Sequence, residues 1–295
     1  MAGAFTAVDL SRLASPPAIE VLDHEAIVSE LIADFSARYP HFTAALASEP
    51  VVKLLECCAY REVLQRQRVN EGVRSVMLAY AVGADLDHLA AMFGVGRLTL
   101  SEAVPEDGIA AVMESDNDLR RRVQMALEGV STAGPAGAYV FHALGAHASI
   151  LDASVASPAP GEVVVSVLAR DGEAPTPEAL AAVEAAVNDD TVRPLTDFVT
   201  VVPAARIDYA VEAEIVTYSG PDTDVIMAEA RARLDDYTAA TGRLGRAVTL
   251  SGIYAALHAE GVQRVVLSQP VADIFAAPHE APRCTAVTLT HGGSV

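Results

Sequence analysis

Apolar positions recur at steps of three and four through the first half of the chain, then at steps of two from about residue 148 onward. Between Asp23 and Tyr39, Ile27, Leu31, Ile32 and Phe35 share one helical face, with Asp23 placed to cap the start and Pro40 to stop the end. The stretch EPVVKLLECCAYREVLQRQRVNEGVRSVMLAYAVG is the longest helix candidate. Pro50 suits its first turn and Gly83 its end, and Leu54, Leu55, Cys58, Val69, Val73, Val76 and Met77 fall three or four apart. About 30 residues rising about 1.5 Å each predict a rod of about 45 Å. Ahead of it, SPPAIE disfavours a helix before Ala18 and suggests an extended arm over 1–22 laid on something else.

GADLDHLAAMFG then predicts a short helix. Gly83 stops the rod, Asp85 is the expected N-cap after a three-residue joint, and Leu86, Leu89, Ala90 and Phe93 form the apolar stripe. Residues 95–116, with VPEDG and little periodicity, read as a loop. DNDLRRRVQMALEG predicts a helix with Leu119, Val123, Ala126 and Leu127 inward. STAGPAG reads as a turn capped by Ser131 or Thr132, with Pro135 starting the helix that carries AYVFHAL.

Two strands joined by a Pro/Gly turn fit SILDASVASPAPGEVVVSVLARDG, followed by a Thr176-capped helix and the strand DFVTVVPA. A second round follows: strand IDYAVEAEIVTY, helix VIMAEARARLDDYTAAT, short helix LSGIYAALHAEG, and strands VQRVVLSQP and RCTAVTLTHG. The expected class is α+β: a helical region over 23–148, a first small α+β unit over 149–205 and a second over 206–295.

Charge and composition narrow the functional classes. Twenty basic against 39 acidic residues give a formal charge of −19, which repels phosphate backbones and argues against nucleic-acid binding. No apolar run approaches the roughly 20 residues needed to span a bilayer, and MAGAFTAVDLSRL lacks the pattern of a signal peptide. Three cysteines, two of them adjacent, give no disulfide framework, so a soluble product made in a reducing cytoplasm is expected.

Candidate chemistry is thin. On a helix Asp85 and Asp87 point about 200° apart, so they do not chelate one ion together, and His88 adds no third ligand. Asp85 as a cap and Asp87 as complement to the helix dipole explain the same residues. STAGPAG lacks the Lys-Ser/Thr of a phosphate loop, and Cys57 and Cys58 lie inside a helix rather than at its N-terminus. Nothing assembles a catalytic constellation, a cofactor site or a metal site. The REVLQRQRVNEG middle of the long helix reads as a solvated, salt-bridged face, or as arginines serving ion pairs with partner helices.

Four stretches in order carry a resemblance: LLECCAYREVLQRQRVNEGVRSVMLAYAVGADLDHLAAMFGV, STAGPAGAYVFHAL, VRPLTDFVTV and LSGIYAALHAEGVQRVVL. Together they resemble the baseplate J-like family of P2-like contractile-tailed phages, R-type pyocins and related contractile injection systems, from about Phe5 to Thr290. The resemblance implies a non-enzymatic baseplate wedge component found in the virion or tail-like particle. It implies helical bundling with an I-like baseplate protein and a second J-like copy. It further implies contacts with neighbouring wedges in a six-fold ring, a W-like sheath initiator on the inner side, and tail-fibre attachment. In that light Leu54, Leu55, Cys58, Val69, Val73, Val76 and Met77 are the expected partner-helix interface. The alternative, a tail-associated enzyme or carbohydrate-binding module acting on the cell envelope, calls for exposed aromatics or a carboxylate pair in a cleft, and the chain has no tryptophan.

Overall fold

The computed structural model describes residues 10, 13–43, 46–131, 133–170, 172–220 and 222–295. They divide into a helical unit, running up to Arg97 and including Ser115–Arg120, and an α+β unit of Leu98–Glu114 with Arg121–Val295. The first nine residues of the expected arm and the candidate cap Thr132 lie outside the described residues.

In the helical unit, α1 (His24–Arg38) begins where the Asp23 carboxylate accepts from the N–H groups of Glu25 and Ala26. Its Ile27 and Val28, with Leu31 and Ile32, pack on Ala59 and Val63 of α2 (Pro50–Ser75). At 26 residues, α2 is about 39 Å long. It ends at Ser75, with seven residues between it and Gly83. The cause is distant in sequence: the Arg120 guanidinium donates to the carbonyls of Leu78 and Ala81, both at 2.7 Å, and so claims acceptors that a continuing helix would use. The joint to α3 (Gly83–Ala91) is therefore the turn 76–82 rather than three residues.

The α+β unit opens with a feature the periodicity did not predict. In place of a loop, β1 (Thr99–Ser101) and β2 (Val112–Met113) pair antiparallel around a tight turn at Pro105–Asp107. Along α4 (Asp116–Gly129), Leu119, Val123, Met125 and Ala126 are buried while Leu127 is 72% exposed. Arg122 points inward to a buried carboxylate, Glu114, which turns the inward arc toward Met125 and leaves Leu127 outside it.

Next, α5 (Ala136–Ala146) starts without a side-chain cap, contrary to the expectation for Ser131; that hydroxyl accepts instead from the Ala133 N–H. Helices α5 and α6 (Pro177–Val187) share an apolar core with β3 (Ile150–Ala156), β4 (Glu162–Ala169) and β5 (Phe198–Pro203). Tyr139, Ala143 and Leu144 of α5 sit in this core, so the first α+β module draws on residues ahead of the boundary expected at 149. Its sheet order is β3-β4-β5, with β4 antiparallel to β3 and parallel to β5.

The second module repeats that logic. Its central strand β6 (Ala205–Thr217) runs antiparallel to β8 (Val262–Gln269) and parallel to β10 (Glu280–Ser294). Helices α7 (Thr223–Thr241) and α8 (Leu250–Leu257) pack Ile226, Leu234, Ile253 and Leu257 against Val211 and Ile215, while β7 (Ala247–Val248) pairs with β9 (Ile274–Phe275) beside them. The two modules keep separate apolar cores and meet through polar groups. Buried Asp152 accepts from Arg121 at 2.7 Å and from the Leu244 N–H at 3.2 Å, and Arg243 donates to the Leu151 carbonyl. The α+β class expected from the sequence is the class observed.

Candidate partner interface

The residues singled out on the long helix divide by position. Taking Leu54 as zero and 100° per residue, Cys58, Val69, Leu55 and Val73 fall within an arc of about 100°. Leu54 (63% exposed), Cys58 and Val69 (62% exposed) face water, whereas Leu55 and Val73 are half-buried on the flank. Val76 and Met77 do not belong to this stripe. They lie past the helix end in the 76–82 turn, where Val76 is exposed and Met77 half-buried.

About 100° round the helix from the centre of that stripe, α2 carries buried Val52, Ala59 and Asn70. Asn70 is a fixed polar pin: its Oδ1 accepts from the Glu20 N–H at 3.0 Å and its Nδ2 donates to the Glu20 carbonyl at 2.9 Å. The Glu20 carboxylate also reaches Arg66 at 3.3 Å. So the described end of the arm is held on α2, and the Leu54 stripe is the side left open among the described residues.

The Asp85–Asp87–His88 cluster resolves differently from the expectation. Helix α3 starts at Gly83, which puts Asp85 in the first turn and not at the cap, and no side chain of the preceding residue caps it. The Gly83 N–H donates instead to the carboxylate of Asp116, at 3.2 and 3.3 Å to its two oxygens. Arg97, its side chain only 11% exposed, donates to Asp116 and Asp87, both at 2.7 Å, and to the Gly83 carbonyl. The cap thus comes from 33 residues downstream, and Asp87 is one half of an ion pair. Burial works to raise the Asp116 carboxyl, but the Arg97 guanidinium and the Gly83 N–H outweigh it and hold it below the usual range.

Sequence reasoning missed this node and the hairpin before α4. Arg97 sits alone in VGRLTL with no periodic signal; the PEDG turn between TLS and AVM was the only local sign of the hairpin. Among the described residues, no group of three or more His, Cys, Asp or Glu side chains could hold a metal ion, and no helix is long and apolar enough to cross a membrane.

Comparison with known proteins follows the same segments. The baseplate J-like N-terminal domain matches residues 47–104, the baseplate J-like central domain 131–203, and the baseplate J-like protein C-terminal domain 209–290. "Baseplate protein J" of Escherichia phage P2 is 46% identical over 299 residues, covering 97% of this chain and 98% of that protein. Among solved structures, a chain of the anti-feeding prophage baseplate (cryo-EM, 6-fold symmetrised) aligns with 89% of this chain, which spans about half, 53%, of that one. The TM-score of that alignment is 0.32, at 13% identity. With three domains matched in order and a relative aligned over almost its whole length, the chain belongs to the baseplate J-like family.

Proposed function

We propose that this chain is a structural component of the baseplate of a contractile tail or tail-like particle, built into its wedges. The observation that carries the reading is the open stripe of α2, where Leu54, Cys58 and Val69 face water on a different side from the buried face occupied by α1 and the arm. Covering each large apolar side chain there contributes about 1.5–3 kcal/mol, enough for a few residues to hold partner helices. The full-length likeness to a protein named for the baseplate supports the same assignment.

In the finer reading, an I-like baseplate protein and a second J-like copy bundle with α2. The α+β modules meet neighbouring wedges in a six-fold ring, with a W-like sheath initiator inside the ring and tail-fibre attachment outside it. Assembly takes place in the bacterial cytoplasm, and the finished location is the particle's baseplate. The charge of −19 sets the chain against nucleic acid as a partner.

The test is co-purification with an I-like baseplate protein. The double variant Leu54→Asp/Val69→Asp changes exposed positions only, so its circular dichroism should match the native chain while the complex is lost. A complex that survives this variant overturns the reading.

A further inference from the structure

The hairpin between β1 and β2 offers apolar side chains to water. Residues 101–113 are all exposed, and they include Val104 (42%), Ile109 (53%), Val112 (52%) and Met113 (44%). The Val104–Ile109 bridge and Gly108 at φ +68° close the tip. The base is held firmly: buried Glu114 takes both Arg122 donors, at 2.9 and 2.5 Å, and accepts from the Leu98 N–H. A stiff base beneath uncovered apolar sides suits insertion into another surface. The charge of the hairpin has one sign, with Glu102, Glu106 and Asp107 and no basic residue between Thr99 and Met113.

The middle of α2 is the converse. A groove there is lined by Cys57, Cys58, Arg61, Glu62, Gln65 and Arg66. Arg66 is taken by Glu62 and Glu20, and Lys53 by Glu56, whereas Arg61 and Arg68 have no ion-pair partner among the described residues. In a chain of charge −19, α2 has an excess of base: Lys53, Arg61, Arg66, Arg68 and Arg74 against Glu56, Glu62 and Glu71. An apolar helix laid across this stretch would strip water from Arg61 and Arg68 and give them nothing in return. Whatever covers it must bring carboxylates. The two arginines are seven residues, about 10 Å, apart along the helix, which matches a two-stranded ribbon with its side chains.

We propose that the middle of α2 receives the 99–113 hairpin of a second copy of the chain. Glu106 and Asp107 meet Arg61 and Arg68, and Val104 and Ile109 lie against Leu64, Cys57 and Cys58. Donor and acceptor of complementary charge occur on one chain, which is why the occupant is another copy. This rests on the open face of α2 being an interface and names what fills its centre, leaving the ends around Leu54 and Val73 to partner helices.

Sedimentation velocity on the purified full chain tests it with two charge reversals at exposed positions: Glu106→Lys/Asp107→Lys at the tip and Arg61→Glu/Arg68→Glu in the groove. The native chain should self-associate, and each variant alone at least tenfold more weakly, with unchanged circular dichroism. An equimolar mixture of the two variants should recover association, because lysine tips then face glutamate grooves and native tips face native grooves. A native chain that stays monomeric at its highest soluble concentration, variants that associate like the native chain, or a mixture that does not recover overturns the proposal. If Leu54→Asp/Val69→Asp abolishes the I-like complex while the tip and groove variants change nothing, the hairpin proposal falls and the α2 reading stands.

Discussion

Arg97 and Asp116 tie the start of α3 to the start of α4, and the ionisation of the Asp116 carboxyl makes that contact sensitive to acid. The Asp116 carboxyl titrates below its ordinary value of 3.8 in the folded chain. Its contribution is therefore complete above that value and is lost as pH falls through the lower, folded one. Asp116→Asn should cost about 1 kcal/mol at neutral pH, the size of a partly screened charged hydrogen bond, and should flatten the stability profile below about pH 4. Urea midpoints of the two proteins measured at several pH values check this; parallel profiles would show that the carboxylate contributes nothing specific. Asn70 makes a second prediction at this scale. Asn70→Ala removes both bonds to the Glu20 backbone and should destabilise by about 1–2 kcal/mol in urea, with faster proteolysis ahead of α1 as the local sign.

At the scale of elements, what was readable in the sequence was what is local. Asp23 and Thr176 cap their helices because a cap acts on N–H groups two or three residues away, inside any reading window. The strands of both modules follow from alternation and turn residues in the same way. Asp85 failed as a cap because its work is done by Asp116, and the length of α2 was overestimated because Arg120 acts on Leu78 and Ala81 across about 40 residues. The apolar run SVMLAYAV keeps a helical period straight through the point where the helix stops. Periodicity reports which side chains are to be buried, not which carbonyls have been claimed elsewhere. The hairpin was hidden for a related reason: strands of three and two residues hold too few positions to show a period. Of the expected interface, the stripe on α2 was legible and only its Val76 and Met77 end moved off the helix, because the stripe depends on helix geometry alone.

For the whole molecule, the repeated sheet has a consequence for how the chain is made. In each three-stranded sheet the central strand has one parallel neighbour supplied from later in the chain. For β4 that neighbour, β5, follows after one helix, but for β6 it is β10, which pairs Ala205 with Glu280 and Thr217 with Ser294. The ribosome must therefore deliver residue 294 before β6 has both partners, and until then β6 has one open side and its apolar face lacks Cys284, Val287 and Leu289. Arrested nascent chains ending near residue 275 should show a protease-resistant first module and a labile second one, while chains extended through β10 resist throughout. Strand β10 is thus also a checkpoint: a product truncated ahead of it would leave the β6 edge open, a template for aggregation.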